Sequence, residues 1–132
     1  MPDWQEKKNL SIKRLTKGKL PRLPFWQLKN EVLGKKYSLS IAFIDPETSK
    51  RVNRDYRGKN KPADILSFPF AKNEGEILVS LETARKQAKN FEQSERKFLI
   101  FLLIHGMLHL KGHVHGSKME RKEAYFIRKL KL

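Results

Sequence analysis

The stretch FLIFLLIHGMLHLKGHVH, from Phe98 to His115, decides how this chain folds. From Phe98 to Leu110 it is apolar except for two histidines and a glycine. A helix that is apolar on every side is one surrounded by protein. Crossing a bilayer takes about 20 mostly apolar residues, so this run is too short to span. Gly112 follows, the residue best suited to the left-handed turn that ends a helix. Beyond it the chain is free to double back through His113, Val114 and His115. The expectation is a buried central helix with a cluster of imidazoles at its end.

All four histidines of the chain fall in this segment. At about 100° per residue, His105 and His109 project from nearly the same helix face, one turn apart. Two imidazoles in an apolar run would otherwise need two separate hydrogen-bond partners, so a shared cation is the economical reading. With the chain turned at Gly112, His115 completes a three-histidine site that leaves a fourth position open, as catalytic zinc does. His113 points elsewhere or takes a direct chemical role. There is no cysteine, so thiolate sites and disulfides are ruled out. Zinc is the first expectation, with nickel or another divalent transition metal also admissible, since imidazoles suit zinc, nickel, copper and iron and availability decides among them. The spacing H-x-x-x-H-x-x-G-x-x-H is that of metzincin proteases, but Gly106 stands where those enzymes carry the glutamate general base.

Outward from this helix the chain alternates short strands and helices. Strands are expected at Leu10–Leu15, Tyr37–Ile44, Ile65–Phe70 and Gly75–Leu81. Pro69 demotes the third of these to an edge strand, or ends its pairing. Helices are expected at Phe25–Leu33, from Pro46 to near Gly58 with Asp45 as its cap, at Glu82–Asn90, Glu92–Lys111 and Ser117–Lys131. The order suggests an α+β fold: residues 1–132 as a single domain, with a small mixed four-stranded sheet packed against the hydrophobic central helix and surrounding helices. The metal site would lie at the end of that helix.

Lysine and arginine number 29 against 14 acids, a formal charge of +15 over 132 residues. Such an excess draws polyanions. The N-terminal MPDWQEKKNL lacks the apolar core of a signal peptide, so a cytoplasmic location is the expectation. There is no glycine-rich phosphate loop, and no nucleotide cofactor and no membrane association are expected.

Two blocks carry a resemblance. His105 to His115 is similar to H-G-x-L-H-L-x-G-[HY]-D-H, and Asn53 to Phe70 (NRDYRGKNKPADILSFPF) to N-x-x-Y-R-x-x-x-x-P-T-D-V-L-S-F-P. These are motifs of the YbeY family of bacterial metal-dependent endoribonucleases, which the chain resembles from about Tyr37 to Met119. GEIL at Gly75–Leu78 is a weaker echo of the family's G-D-I. The resemblance implies a zinc-dependent endoribonuclease that hydrolyses single-stranded RNA. It also implies roles in 16S rRNA 3′-end maturation, ribosome biogenesis and ribosome quality control, with ribosomal particles as partners. It implies His105, His109 and His115 as ligands and Arg57 as the arginine near the metal cleft.

Arg57, permanently charged and forked, suits two phosphate oxygens as their charge grows. Lys59 and Lys61 would extend the cationic surface along RNA. Asp64 and Ser67 support the site or serve as a turn cap and a strand hydroxyl. Tyr56, Phe68 and Phe70 are assigned to the core rather than to base stacking. Val114 replaces the aspartate that relatives carry beside the last ligand, which removes a group able to orient it. The chain also ends sooner after its last helix than many relatives, and loss of a partner-binding tail is expected. Two other functions stay open: a non-catalytic zinc-containing ribosome assembly factor, and a zinc metallopeptidase, against which Gly106 counts.

Overall fold

A computed structural model describes residues 4–130. The sheet is mixed and five-stranded, in the order β1-β2-β3-β5-β4. Its strands are β1 (Trp4–Lys7), β2 (Leu10–Arg14), β3 (Ser38–Ile44), β4 (Ile65–Ala71) and β5 (Glu74–Ser80). The helices are α1 (Phe25–Val32), α2 (Pro46–Arg57), α3 (Leu81–Asn90), α4 (Glu95–Leu110) and α5 (Ser117–Lys129). The α+β architecture is as expected from the sequence, but the sheet gains a strand. β1 pairs antiparallel with β2, from Trp4 opposite Lys13 to Lys7 opposite Leu10. WQEK has no apolar alternation to announce it, and the tight turn is made by Asn9 at a φ of 63°. Asparagine is among the few residues that accept that conformation.

β2, β3 and β5 run parallel, with Ile12 opposite Ile41 and Ile41 opposite Ile77. This row is fully buried, as strands covered on both faces should be. Against it lies α4, whose Leu99, Leu103, Ile104, Met107 and Leu108 are buried in the same core. β4 is antiparallel to β5 and forms the sheet edge, with a register shift between Pro69 and Ala71. Proline has no N–H for a central ladder, so the edge is where it belongs.

The helix termini follow their caps. Asp45 accepts a hydrogen bond from the Thr48 backbone N–H at 2.7 Å and Pro46 occupies the first turn, while Gly58 closes α2 at a φ of 70°. α4 starts at Glu95 rather than Glu92, because Ser94 is its N-cap and Glu92 sits at a φ of 54°. The expected end of the last helix at Lys131 lies outside the described residues.

Helix α4 meets the sheet at unusually close range. A Cβ built on Gly106 would stand 2.7 Å from Ile65 Cδ1 and 3.0 Å from Ser67 Oγ. The Ser67 hydroxyl donates to the Gly106 carbonyl at 3.0 Å, pinning the edge strand to the helix. Glycine permits this approach because it brings no side chain. Gly106 therefore faces β4 and β5, and a glutamate there would point into the sheet.

Candidate metal centre

Of the sixteen residues of α4, only Phe101, His105 and His109 are half-buried between Phe98 and Leu110. They recur every four residues and so form one stripe, which borders a cleft instead of the core. After α4 ends at Leu110, Gly112 takes a φ of 92° and the chain returns towards that stripe. His115 then sits with its ring centroid 5.0 Å from that of His105 and 4.8 Å from that of His109.

One nitrogen from each of the three rings can be chosen so that all lie within 4.8 Å of one another. The Nε2 atoms of His105 and His109 are 3.1 Å apart. Tetrahedral zinc with bonds of about 2.0–2.1 Å holds its nitrogens roughly 3.3 Å apart. The donor set therefore fits one cation, with a modest inward movement of the exposed His115.

The second nitrogen of each buried ring decides its tautomer. His109 Nδ1 lies 2.9 Å from the His113 carbonyl, which can only accept, so Nδ1 carries the proton and Nε2 presents its lone pair. His105 Nδ1 is buried without a hydrogen bond and lies 3.5 Å from Glu123 Oε2. Glu123 comes from α5 and is 5% exposed. A carboxylate behind an imidazole is the usual device for orienting a metal-ligating histidine and raising its basicity. Burial, and then the neighbouring His109 and His115 rings, push the His105 pKa down to about 4. At neutral pH His105 is thus uncharged, with one ring nitrogen free to present a lone pair.

Glu123 was not foreseen from the sequence. Its signal is its place in α5, four residues after the buried Met119, where a surface helix turns its apolar stripe inward. An acid on that stripe needs a partner. Val114, by contrast, is 78% exposed and does not line the cleft.

The cleft has a volume of about 630 Å³ and brings Tyr56, Arg57, Asp64, Ser67, Phe68 and Phe101 together with the three histidines. Arg57 stands at the C-terminal end of α2 and is exposed. Asp64 is the one acid on the cleft wall among the described residues, and burial raises its pKa, although the nearby Arg57 acts the other way. The loop between these two residues is tied down from below. Buried Ser49 exchanges hydrogen bonds with the Ala63 backbone at 2.6 and 2.9 Å, and buried Asn53 donates to the Lys61 carbonyl at 2.8 Å. Lys59 and Lys61 are exposed on that loop, but their side chains are not part of the cleft wall. Nor is the His113 ring, so this residue meets the site through its carbonyl.

Two aromatic assignments need correction. Tyr56 and Phe70 are 74% and 62% exposed, not core. The inward stripe of α2, Ser49 and Asn53, is occupied by the loop, and Tyr56 lies just past it. Phe70 sits at the irregularity that follows Pro69, where β4 loses its regular register. Phe68 is half-buried, edge-on to Tyr56 at 5.3 Å.

The family described as Endoribonuclease YbeY matches residues 4–130. The chain belongs to the YbeY family. It is 40% identical over 89 residues to a protein named Endoribonuclease YbeY from Carboxydothermus hydrogenoformans, covering 64% of this chain and 62% of that one. A YbeY relative from Halalkalibacterium halodurans is 36% identical over 107 residues, with 66% of its length covered. The chain thus spans just under two thirds of these relatives. A longer match, 34% over 116 residues, covers 80% of this chain and 76% of the YbeY protein from Pelotomaculum thermopropionicum. The solution structure of TM1509 from Thermotoga maritima aligns with a TM-score of 0.57 at 25% identity, over 88% of this chain and 86% of that one. Across the YbeY match, the three histidines and Arg57 lie inside the aligned span. No helix among the described residues is long and apolar enough to cross a membrane.

Proposed function

We propose that this chain is a metal-dependent endoribonuclease that hydrolyses phosphodiester bonds of single-stranded RNA, residues 1–132 forming one such domain. The observation that carries the reading is the convergence of three imidazoles beside Arg57 in a cleft of a strongly basic chain. His105, His109 and His115 would hold the cation, with zinc the first choice and nickel an alternative. When bound, the cation supplies Lewis acidity and a more acidic water.

The remaining work falls to the chain itself. Arg57 grips the phosphoryl oxygens as negative charge builds on them. Asp64, whose pKa is raised by burial, is the cleft's own carboxyl for accepting or returning a proton. His113 and Glu123 act through His109 and His105, fixing which nitrogen faces the cation. Within the cell this reading puts the protein in the cytoplasm, on 16S rRNA 3′-end maturation, ribosome biogenesis and quality control, with ribosomal particles as partners.

Cleavage of a labelled single-stranded oligoribonucleotide tests the proposal. The metal-loaded protein should cut it, chelation should stop the cutting, and His109→Ala should show at least a hundredfold loss while remaining folded. Cutting that survives both chelation and His109→Ala would exclude the metal mechanism. The packing of Gly106 against the sheet leaves no room for a protease-type glutamate, so no reading as a peptidase is put forward.

A further inference from the structure

The aromatic residues at the cleft are not needed to hold a cation or a phosphate. Tyr56 leaves three quarters of its surface in water, which contributes little to the fold, and its ring packs edge-on against Phe68. It is followed directly by Arg57 on the cleft wall. Opposite, on α4, Phe101 lies 5.8 Å from the His105 ring. The cleft wall therefore combines one arginine and three imidazoles with aromatic and aliphatic faces.

We propose that Tyr56, steadied edge-on by Phe68, is a nucleobase subsite on which one unpaired base stacks while Arg57 holds the adjoining phosphate. The inference rests on the endoribonuclease reading and deepens it by locating the source of single-strand selectivity. Stacking on an exposed ring requires a base with a free face. In a duplex each base face is covered by its neighbours, so a paired strand reaches Arg57 without engaging Tyr56. Every base has a π-face, so the subsite selects for strandedness and not for sequence. Charge complementarity points the same way: Arg57 follows Tyr56 directly on the cleft wall, and Lys59 and Lys61 are exposed on the loop that comes next, cations suited to the backbone that carries the base.

The test uses the whole chain and two labelled single strands, one intact and one carrying abasic residues on the same sugar-phosphate backbone. Tyr56→Ala should weaken binding of the intact strand by about 5- to 100-fold, as expected for loss of one stacked base. It should leave binding of the abasic strand unchanged. Tyr56→Phe and Tyr56→Trp should retain the wild-type affinity for the intact strand within about threefold, because each keeps a π-face. Equal losses on both strands, or none on either, would overturn the subsite while leaving the nuclease assignment intact. A wild-type protein that neither binds nor cuts the intact strand would instead remove the endoribonuclease reading and the subsite with it.

Discussion

Three histidine rings converge here, but what makes them usable is held one bond further out. His109 is fixed by a backbone carbonyl, which no side-chain substitution removes. His105 depends on a side chain, Glu123, which is buried and raised in pKa by burial and by Glu120. The two rings therefore differ in vulnerability. Glu123→Gln keeps the shape but removes the charge that favours the N–H at His105 Nδ1. Metal affinity, measured by competition with a chromophoric chelator, should fall about 10- to 100-fold. Thermal unfolding of the metal-free protein should barely change, since no charge is left buried by the substitution. Unaltered affinity would mean that His105 is oriented by packing alone.

At the level of elements, the site is a product of one helix lying unusually near one edge strand. Gly106→Ala sets two effects against each other. Alanine is worth up to about 1 kcal/mol over glycine in a helix interior. Overpacking a tight contact costs about 1–3 kcal/mol, and the new methyl would meet both Ile65 and Ser67. Packing should win, so thermal unfolding should drop by several degrees; an unchanged or higher midpoint would show that helix and strand part easily. Gly106→Glu, which recreates the protease pattern, should prevent folding instead of creating a peptidase.

This contact also explains how much could be read in advance. The helices, four strands and the edge position of β4 follow from periodicity, caps and proline, all local signals. The three-histidine cluster was legible because two of its rings share a helix face and the third follows a glycine turn. β1 was not, because WQEK has no pattern of its own and forms by pairing with β2. The inward stripe of α5 marks Glu123, but its pairing with His105, like the exposure of Tyr56, depends on where α5 and the loop after α2 come to rest, which no local window contains.

For the molecule as a whole, the question is whether its +15 charge is directed at a ligand or spread for solvation. Helix α2 gives a measurable form to the difference. Lys50, Arg54 and Arg57 are exposed at spacings of four and three, so they line one side of the helix and lead to the cleft. Lys59 and Lys61 continue the exposed cations into the loop. Arg54 meets Asp55 at 3.3 Å, but an exposed pair of this kind is worth under about 1 kcal/mol and yields readily to a phosphate. A single strand with one phosphate at the histidines would cross several of these cations. Each phosphate neutralised on a single strand steepens the plot of log affinity against log salt by about 0.7. Contact at Arg57 alone predicts a slope near −0.7, whereas use of all five cations predicts about −3.5. The measurement is the dissociation constant for a single-stranded oligoribonucleotide between about 50 and 300 mM salt. The steep slope is expected, and Lys50→Glu with Arg54→Glu should flatten it by about 1.4 without altering the metal affinity. If the wild-type profile is nearly flat, or the double variant leaves it unchanged, the row along α2 is a solvated surface and RNA is gripped at the cleft only.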